Sequence, residues 1–226
     1  MNPETLQNGL LLFVMLVGSL SIHEASHALA AKLLGDDTAE REGRLSLNPL
    51  VHLDQLGTVM LIVMALSNFG IGWAKPVPVN PLRFKRRFRD MGLVALAGPA
   101  SNLVLAFLFF WLFVLENRIV PLESMLPFFT LLDDLLLIGV KVNIGLAVFN
   151  MLPLYPLDGQ KVLSGILPVK LARVFDFQMI RMGAWPLLVV IVWEWVMPVP
   201  GPLGWLLGPV SGTIWQFLQF SASWMA

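Results

Sequence analysis

Residues 8–34 read NGLLLFVMLVGSLSIHEASHALAAKLL, an apolar run that carries a polar group in its second half. About 20 apolar residues suffice for a helix to cross a bilayer, and this run is longer. His23, Glu24 and His27 lie inside it, where ionisable side chains are costly to keep unless they serve a function. The stretch therefore predicts a membrane-spanning helix with a functional site built into it.

The spacing of the two histidines is that of a metal site. Residues four apart on a helix share one face at about 5–6 Å, so the imidazoles of His23 and His27 can reach one zinc ion. Glu24 points roughly a quarter turn away, where its carboxylate can take a proton from a metal-activated water. The alternative, two histidines that merely pack between helices, is disfavoured by the apolar surroundings.

The composition of the whole chain is that of a membrane protein. Of the 226 residues 57% are hydrophobic and 13% are charged, and the mean hydropathy is +0.75. A soluble domain carries about a quarter charged residues. The chain has no cysteine, which excludes disulfides and thiolate metal sites, and its net charge is zero. Any metal must be held by His, Asp or Glu, and no nucleic-acid partner is predicted.

The apolar segments predict an all-α polytopic membrane protein with about five spans. These lie near Asn8–Leu34, Met91–Leu115, Thr130–Leu152, Met182–Val196 and Leu203–Ser223. We expect one membrane-embedded domain over residues 1–226, with a core at about 10–165 and C-terminal spans at about 182–226. Short extended segments are expected before the second span, because Pro76, Pro78 and Pro81 disfavour a helix or a central strand.

Basic residues predict the orientation in a cell membrane, since they concentrate on the cytoplasmic side. They cluster at residues 41–44, 75–89 and 161–181, whereas the loop around Arg118 is poor in them. If the apolar stretch Leu56–Trp73 crossed the membrane, the first two clusters would face opposite sides. We therefore predict that this stretch re-enters. Arg83–Arg89 is interpreted as a cytoplasmic basic collar on anionic lipid headgroups.

A catalytic zinc normally has three protein ligands, and the helix supplies two. Candidates for the third near the cytoplasmic edge are His52, Asp54 and Asp158. Asp158 belongs to NMLPLYPLDG, residues 150–159, in which two prolines break the helix. Gly159 permits an unusual backbone angle. Such an irregular segment can aim a carboxylate into the helix bundle, although a solvated Asp at a span end is the alternative.

Two asparagines allow two interpretations each. Asn102, in GPASN at residues 98–102, either hydrogen-bonds a neighbouring helix or supports catalysis. Asn150 either donates to a developing oxyanion or caps the broken helix.

In order and spacing, the motifs His23-Glu24-x-x-His27, Gly98-Pro-x-x-Asn102 and Asn150-x-x-Pro-x-x-Pro-Leu-Asp158-Gly resemble the site-2 proteases, a family of intramembrane zinc metalloproteases. The resemblance covers residues 10–165 and points to a compact prokaryotic branch without an additional soluble domain. Residues 48–73 are an addition to the simplest family core.

The resemblance implies one zinc ion per chain, held by His23, His27 and Asp158, with Glu24 as general base. It makes Asn102 and Asn150 supporting residues. We expect His52 to be a substrate contact or a gate. It also implies a site within the membrane towards the cytoplasm, and transmembrane proteins as substrates. Two other functions remain compatible with the motifs, a zinc transporter and a relative that binds membrane helices without cutting them.

Overall fold

The computed structural model describes residues 3–67, 70, 72–119, 127–197 and 201–223. The described part is helical and contains no β-strand, in agreement with the predicted all-α class. Its helices are α1 (Pro3–Leu33), α2 (Thr38–Arg41), α3 (Gln55–Ser67), α4 (Arg87–Ile119), α5 (Pro127–Asn150), α6 (Asp158–Ile166), α7 (Val169–Met182), α8 (Trp185–Val196) and α9 (Pro202–Ser223). Two short 3₁₀ turns, Pro49–Val51 and Pro81–Arg83, each follow an asparagine whose side chain accepts from the turn.

Helices α1, α4 and α5 form the centre of the bundle, and each packs against the other two. Apolar side chains of α4, α5 and α9 make the main buried cluster, which contains Ala106, Phe110, Val140, Ile144, Val148 and Leu218. Helix α6 lies close against α4 where Gly92 faces Gly165. A Cβ atom on Gly92 would lie 3.0 Å from the Cα of Gly165, so small residues allow this close approach.

The prediction of five spans exceeds what the helices support. By length and apolar composition, α1 and α4 can each cross a membrane, and α7 with α8 makes a third span if that bent pair acts as one. Helix α5 carries Asp133, Asp134 and Lys141, and α9 is interrupted by Pro209 and several glycines. Helix α8 has 12 residues, about 18 Å at 1.5 Å per residue, which is less than the bilayer core of about 30 Å.

The apolar stretch between α1 and α4 has its two ends side by side. Helix α3 follows its start and packs against α1, and an antiparallel bridge joins Leu53 to Ala74 at the base. The amide of Lys75 donates to the carbonyl of His52 at 2.7 Å. Because both ends meet, the segment has the geometry that re-entry requires, whereas a span would separate its ends.

Arg44 ties the first two basic clusters together. Its guanidinium donates to the carbonyl of Lys75 at 2.6 Å, and the amide of Asn80 donates to buried Asp36 at 2.6 Å. These contacts hold residues 75–80, which have no helix, across the same end of the bundle. The segment is free of helix, as its prolines predict, and the only regular pairing beside it in the described chain is the single bridge at Ala74.

Candidate metal centre

The two histidines of α1 face the interior of the bundle. His23 is 4% exposed and His27 is 8% exposed, and both are oriented by α4. His23 Nδ1 lies 2.6 Å from Oδ1 of Asn102, and His27 Nδ1 lies 2.7 Å from the carbonyl oxygen of Val94. Both partners can only accept, so both Nδ1 atoms carry the proton. Each Nε2 atom is therefore left with its lone pair directed into the bundle.

Asp158 completes a triangle with the two Nε2 atoms. Its Oδ2 lies 3.1 Å from Nε2 of His23 and 3.2 Å from Nε2 of His27, and the two nitrogens are 3.0 Å apart. Three lone-pair atoms at such distances repel one another unless a cation lies among them. Tetrahedral zinc with bonds of about 2.0–2.1 Å separates its ligands by roughly 3.3 Å. The three atoms fit a zinc ion with one position open.

The chain between α5 and α6 places Asp158 at this triangle. Residues 151–157 form tight turns, with the amide of Leu157 donating to the carbonyl of Leu154 at 2.8 Å. A Cβ atom on Gly159 would lie 2.2 Å from the carbonyl oxygen of Met151. Gly159 was expected to permit an unusual backbone angle, but its φ is not positive. Its role is close backbone approach, which brings Asp158 back towards the end of α5.

A chain of amides fixes the orientation of His23. The side-chain amide of Asn102 donates to Oδ1 of Asn143 at 2.8 Å, and that of Asn143 donates to the hydroxyl of Ser19 at 2.9 Å. Asn102 and Asn143 are both 0% exposed. Asn102 thus bonds a neighbouring helix, one of its two predicted roles, and it also bonds a candidate ligand.

The role of Asn143 in this chain of amides was not predicted from the sequence. Asn143 is a polar residue in the apolar part of α5, between Val142 and Ile144, and this position was a signal that could have been used, because such residues in membrane helices usually have a partner.

Glu24 lines a cavity of about 130 Å³ together with His23, His27, Asp158 and Asn150. Residues 76–79 close the cavity on another side, and the amide of Val77 donates to Oε2 of Glu24 at 2.8 Å. This contact was not predicted, because the sequence shows only that the segment is extended. A cavity of this volume holds a few water molecules but no peptide, since a water occupies about 30 Å³.

His52 and Asp54 do not belong to the three-residue group. His52 is 1% exposed, and its Nε2 donates to the carbonyl of Ser46 at 2.8 Å. Asp54 accepts from the amide of Gly57 at the start of α3. Both residues make local contacts at the base of the segment that carries α3. Asn150 does reach the cavity, while its amide donates to the carbonyl of Leu146 at 2.9 Å.

Comparison with known proteins agrees with this geometry. The profile of Peptidase family M50 matches residues 11–190. The chain is 43% identical over 157 residues to YwhC of Bacillus subtilis, an alignment that covers 70% of this chain and 69% of YwhC. It is 32% identical to MJ0611 of Methanocaldococcus jannaschii, over 63% of each chain. It is 38% identical to Rip2 of Mycolicibacterium smegmatis, over 40% of this chain and 34% of Rip2. Each relative is described as a candidate zinc metalloprotease, and no solved structure matches significantly.

Proposed function

Because this chain belongs to peptidase family M50 and is a zinc metalloprotease of the membrane, we propose that it hydrolyses peptide bonds in or near transmembrane helices, with zinc held by His23, His27 and Asp158. The observation that carries the ligand assignment is the triangle of lone-pair atoms at 3.0–3.2 Å. The zinc-transporter alternative is disfavoured, since the family is one of peptidases.

Zinc in this position would lower the pKa of a water molecule and polarise the carbonyl of the peptide bond. Glu24 lies in the same cavity but outside the ligand triangle. Its carboxylate is therefore not needed as a ligand, and it is proposed to take the proton of the attacking water and to pass it to the leaving amine. Asn150 is proposed to donate to the carbonyl oxygen as negative charge develops there. To do so, its amide must leave the carbonyl of Leu146.

The segment at residues 75–80 is proposed to shift when a substrate enters. Val77 occupies the edge of the cavity and its amide is bonded to Glu24, so the general base is engaged in the closed arrangement. A substrate helix must also unwind before its carbonyl can be attacked. Pairing of the unwound chain with an extended edge is one way to hold it, and residues 75–80 form the extended segment beside the cavity.

The proposed setting is the cell membrane, with several passes and one domain over residues 1–226. Helices α1 and α4 run antiparallel, because His23 contacts Asn102 while His27 contacts Val94. The C-terminal end of α1 and the start of α4 thus share one side, where both basic clusters lie. The positive-inside rule makes this side cytoplasmic. Asp158 lies towards the same side, so the reaction would occur near the cytoplasmic edge of the membrane.

The decisive experiment replaces Glu24 by Gln. Loss of the general base should lower cleavage by about 10²–10⁴-fold while the zinc content stays near one per chain, because Glu24 is not a ligand. Membrane proteins that accumulate in cells with Glu24→Gln, but not with the unaltered enzyme, are candidate substrates for assays with purified protein. Glu42→Gln is the matched control, since Glu42 is exposed and lies outside the cavity. Cleavage by Glu24→Gln at full zinc occupancy would remove Glu24 from the mechanism.

A further inference from the structure

A cavity of about 700 Å³ lies between the start of α4 and the helices α6 and α7, separate from the metal centre. Its lining combines positive charge with apolar surface. Four arginines line it, Arg86, Arg87, Arg89 and Arg173, together with apolar side chains that include Leu167 and Ile180. Three of the arginines belong to the predicted basic collar, but Arg173 comes from α7, more than 80 positions further along the chain.

The positive charge of this cavity has little compensation from the protein. Asp176 is the carboxylate in its lining, and its Oδ1 already accepts from the amide of Gln160 at 2.5 Å and from the hydroxyl of Ser164. The nearby Asp90 is buried and accepts from the backbone amide of Arg86 at 2.9 Å. Neither carboxylate forms an ion pair with a cavity arginine within the described chain.

Other arginines of the same face are paired within the protein. Arg41 forms an ion pair with Asp37 at 2.7 Å, and Arg83 contacts both Asp36 and Asp37. The cavity arginines differ from Arg41 and Arg83 because none of them forms an ion pair within the described chain. Guanidinium groups bind phosphate oxygens through paired, charge-assisted hydrogen bonds. The complementary ligand is an anion that carries such oxygens.

The position of the cavity selects a lipid as the source of that anion. Arg87 begins α4, a helix that can span the membrane, so the arginines lie at headgroup level. Helix α7 meets α8 at an angle of 62° and exposes Val174, Phe177 and Ile180, each about 60% exposed. These side chains offer an apolar surface next to the charged one. A phosphodiester joined to acyl chains matches both surfaces, whereas free phosphate matches only one.

We propose that this cavity binds the headgroup phosphate of an anionic phospholipid, with the acyl chains against Leu167, Ile180 and the exposed apolar side chains of α7. This goes beyond a diffuse basic collar, because it assigns one lipid to a site built from two separate segments. Lysines and arginines outside the cavity then contribute only the general attraction of the membrane surface.

The test compares two double variants of the full chain that lose the same charge from the same regions. Arg87→Gln/Arg173→Gln removes one cavity arginine from each side, and Lys85→Gln/Arg181→Gln removes neighbouring exposed charges that do not line the cavity. Native mass spectrometry in detergent measures binding of phosphatidylglycerol, with phosphatidylcholine as the neutral lipid. Loss of one charge-assisted hydrogen bond to a phosphate oxygen lowers the affinity by about fivefold or more. We expect roughly 25-fold weaker phosphatidylglycerol binding for the cavity variant and little change for its control.

Two outcomes would overturn the proposal. Equal loss in both variants would mean a diffuse collar, and unchanged binding in the cavity variant would mean that no lipid site exists there. If the cavity variant kept lipid but lost affinity for an acidic peptide, the site would be a peptide site instead. Thermal unfolding and zinc content show whether the variants are folded. Should the double variant not fold, Arg173→Gln with Arg181→Gln as its control gives the same comparison at about fivefold, since both side chains are exposed.

Discussion

Asn102→Ala tests whether the asparagine chain positions the metal ligand His23. In the unaltered protein Oδ1 of Asn102 accepts the Nδ1 proton of His23 at 2.6 Å, which fixes the tautomer and aims Nε2 at Asp158. Asn102 is 0% exposed and His23 is 4% exposed. Bulk water therefore does not reach this contact. The variant leaves the imidazole free to rotate or to change tautomer.

The size of the effect follows from the groups left unpaired. The substitution removes the acceptor for His23 Nδ1 and the donor for Oδ1 of Asn143. A buried polar group without a partner costs about 1–3 kcal/mol, and loss of a hydrogen-bond partner of a metal-binding histidine typically lowers metal affinity about 10–100-fold. We expect a zinc affinity reduced by that factor. Asn143→Ala should have a smaller effect, because the bond between Asn102 and His23 remains.

The assay is a zinc titration against a competing chromophoric chelator, with protein in detergent and with thermal unfolding measured in the absence of metal. Asn117→Ala is the matched control, since Asn117 also lies on α4 and also donates across to α5, to Asp133 at 2.9 Å, but is exposed. Unchanged zinc affinity in Asn102→Ala would refute the positioning role. A lower unfolding temperature with unchanged zinc affinity would assign Asn102 to helix packing alone.

Three further predictions concern the zinc ligands, the contact between α1 and α4, and the paired ends of the segment that carries α3. Asp158→Ala should lose most bound zinc and activity, while His52→Ala should keep its zinc; metal analysis at equal folded concentration decides, and the reverse result would overturn the ligand assignment. Gly98→Ala should displace the imidazoles and weaken zinc binding, because the new Cβ would lie 2.5 Å from ring atoms of both histidines. Gly145→Ala is the control, since a Cβ at this glycine of α5 meets no atom within 4 Å. Equal zinc affinity in the two variants would contradict the close contact. Leu53→Cys/Ala74→Cys should form a disulfide on oxidation, since bridged residues lie within disulfide range; the chain has no other cysteine, and absence of the crosslink would contradict the paired base.

The parts of the site that sequence reasoning could predict are those set by local geometry. The i, i+4 spacing of His23 and His27 determines their common face once the segment is helical. The break before Asp158 follows from the prolines of its loop. In each case neighbouring residues in the chain carry the information.

The parts that could not be predicted depend on how distant segments are rotated against one another. The bond from Asn143 to Asn102 needs the register of α5 against α4, and the bond from Val77 to Glu24 needs the path of an irregular segment. Neither is encoded in a local period. The span count failed for a related reason. Apolar segments alone do not show that the charges of α5, at Asp133, Asp134 and Lys141, or the 12-residue length of α8 keep these helices below what a span requires.

One face of α4 explains the composition of the motif at residues 94–102. Val94, Gly98 and Asn102 are spaced by four, so they stand above one another along α1, which runs in the opposite direction. The carbonyl oxygen of Val94 accepts from His27, Oδ1 of Asn102 accepts from His23, and Gly98 between them leaves room for both rings. Residues spaced by four on α1 and residues spaced by four on α4 therefore meet at the two imidazoles. Gly and Asn are required at this spacing because a Cβ at the first would strike the rings, and loss of the amide at the second would free one of them.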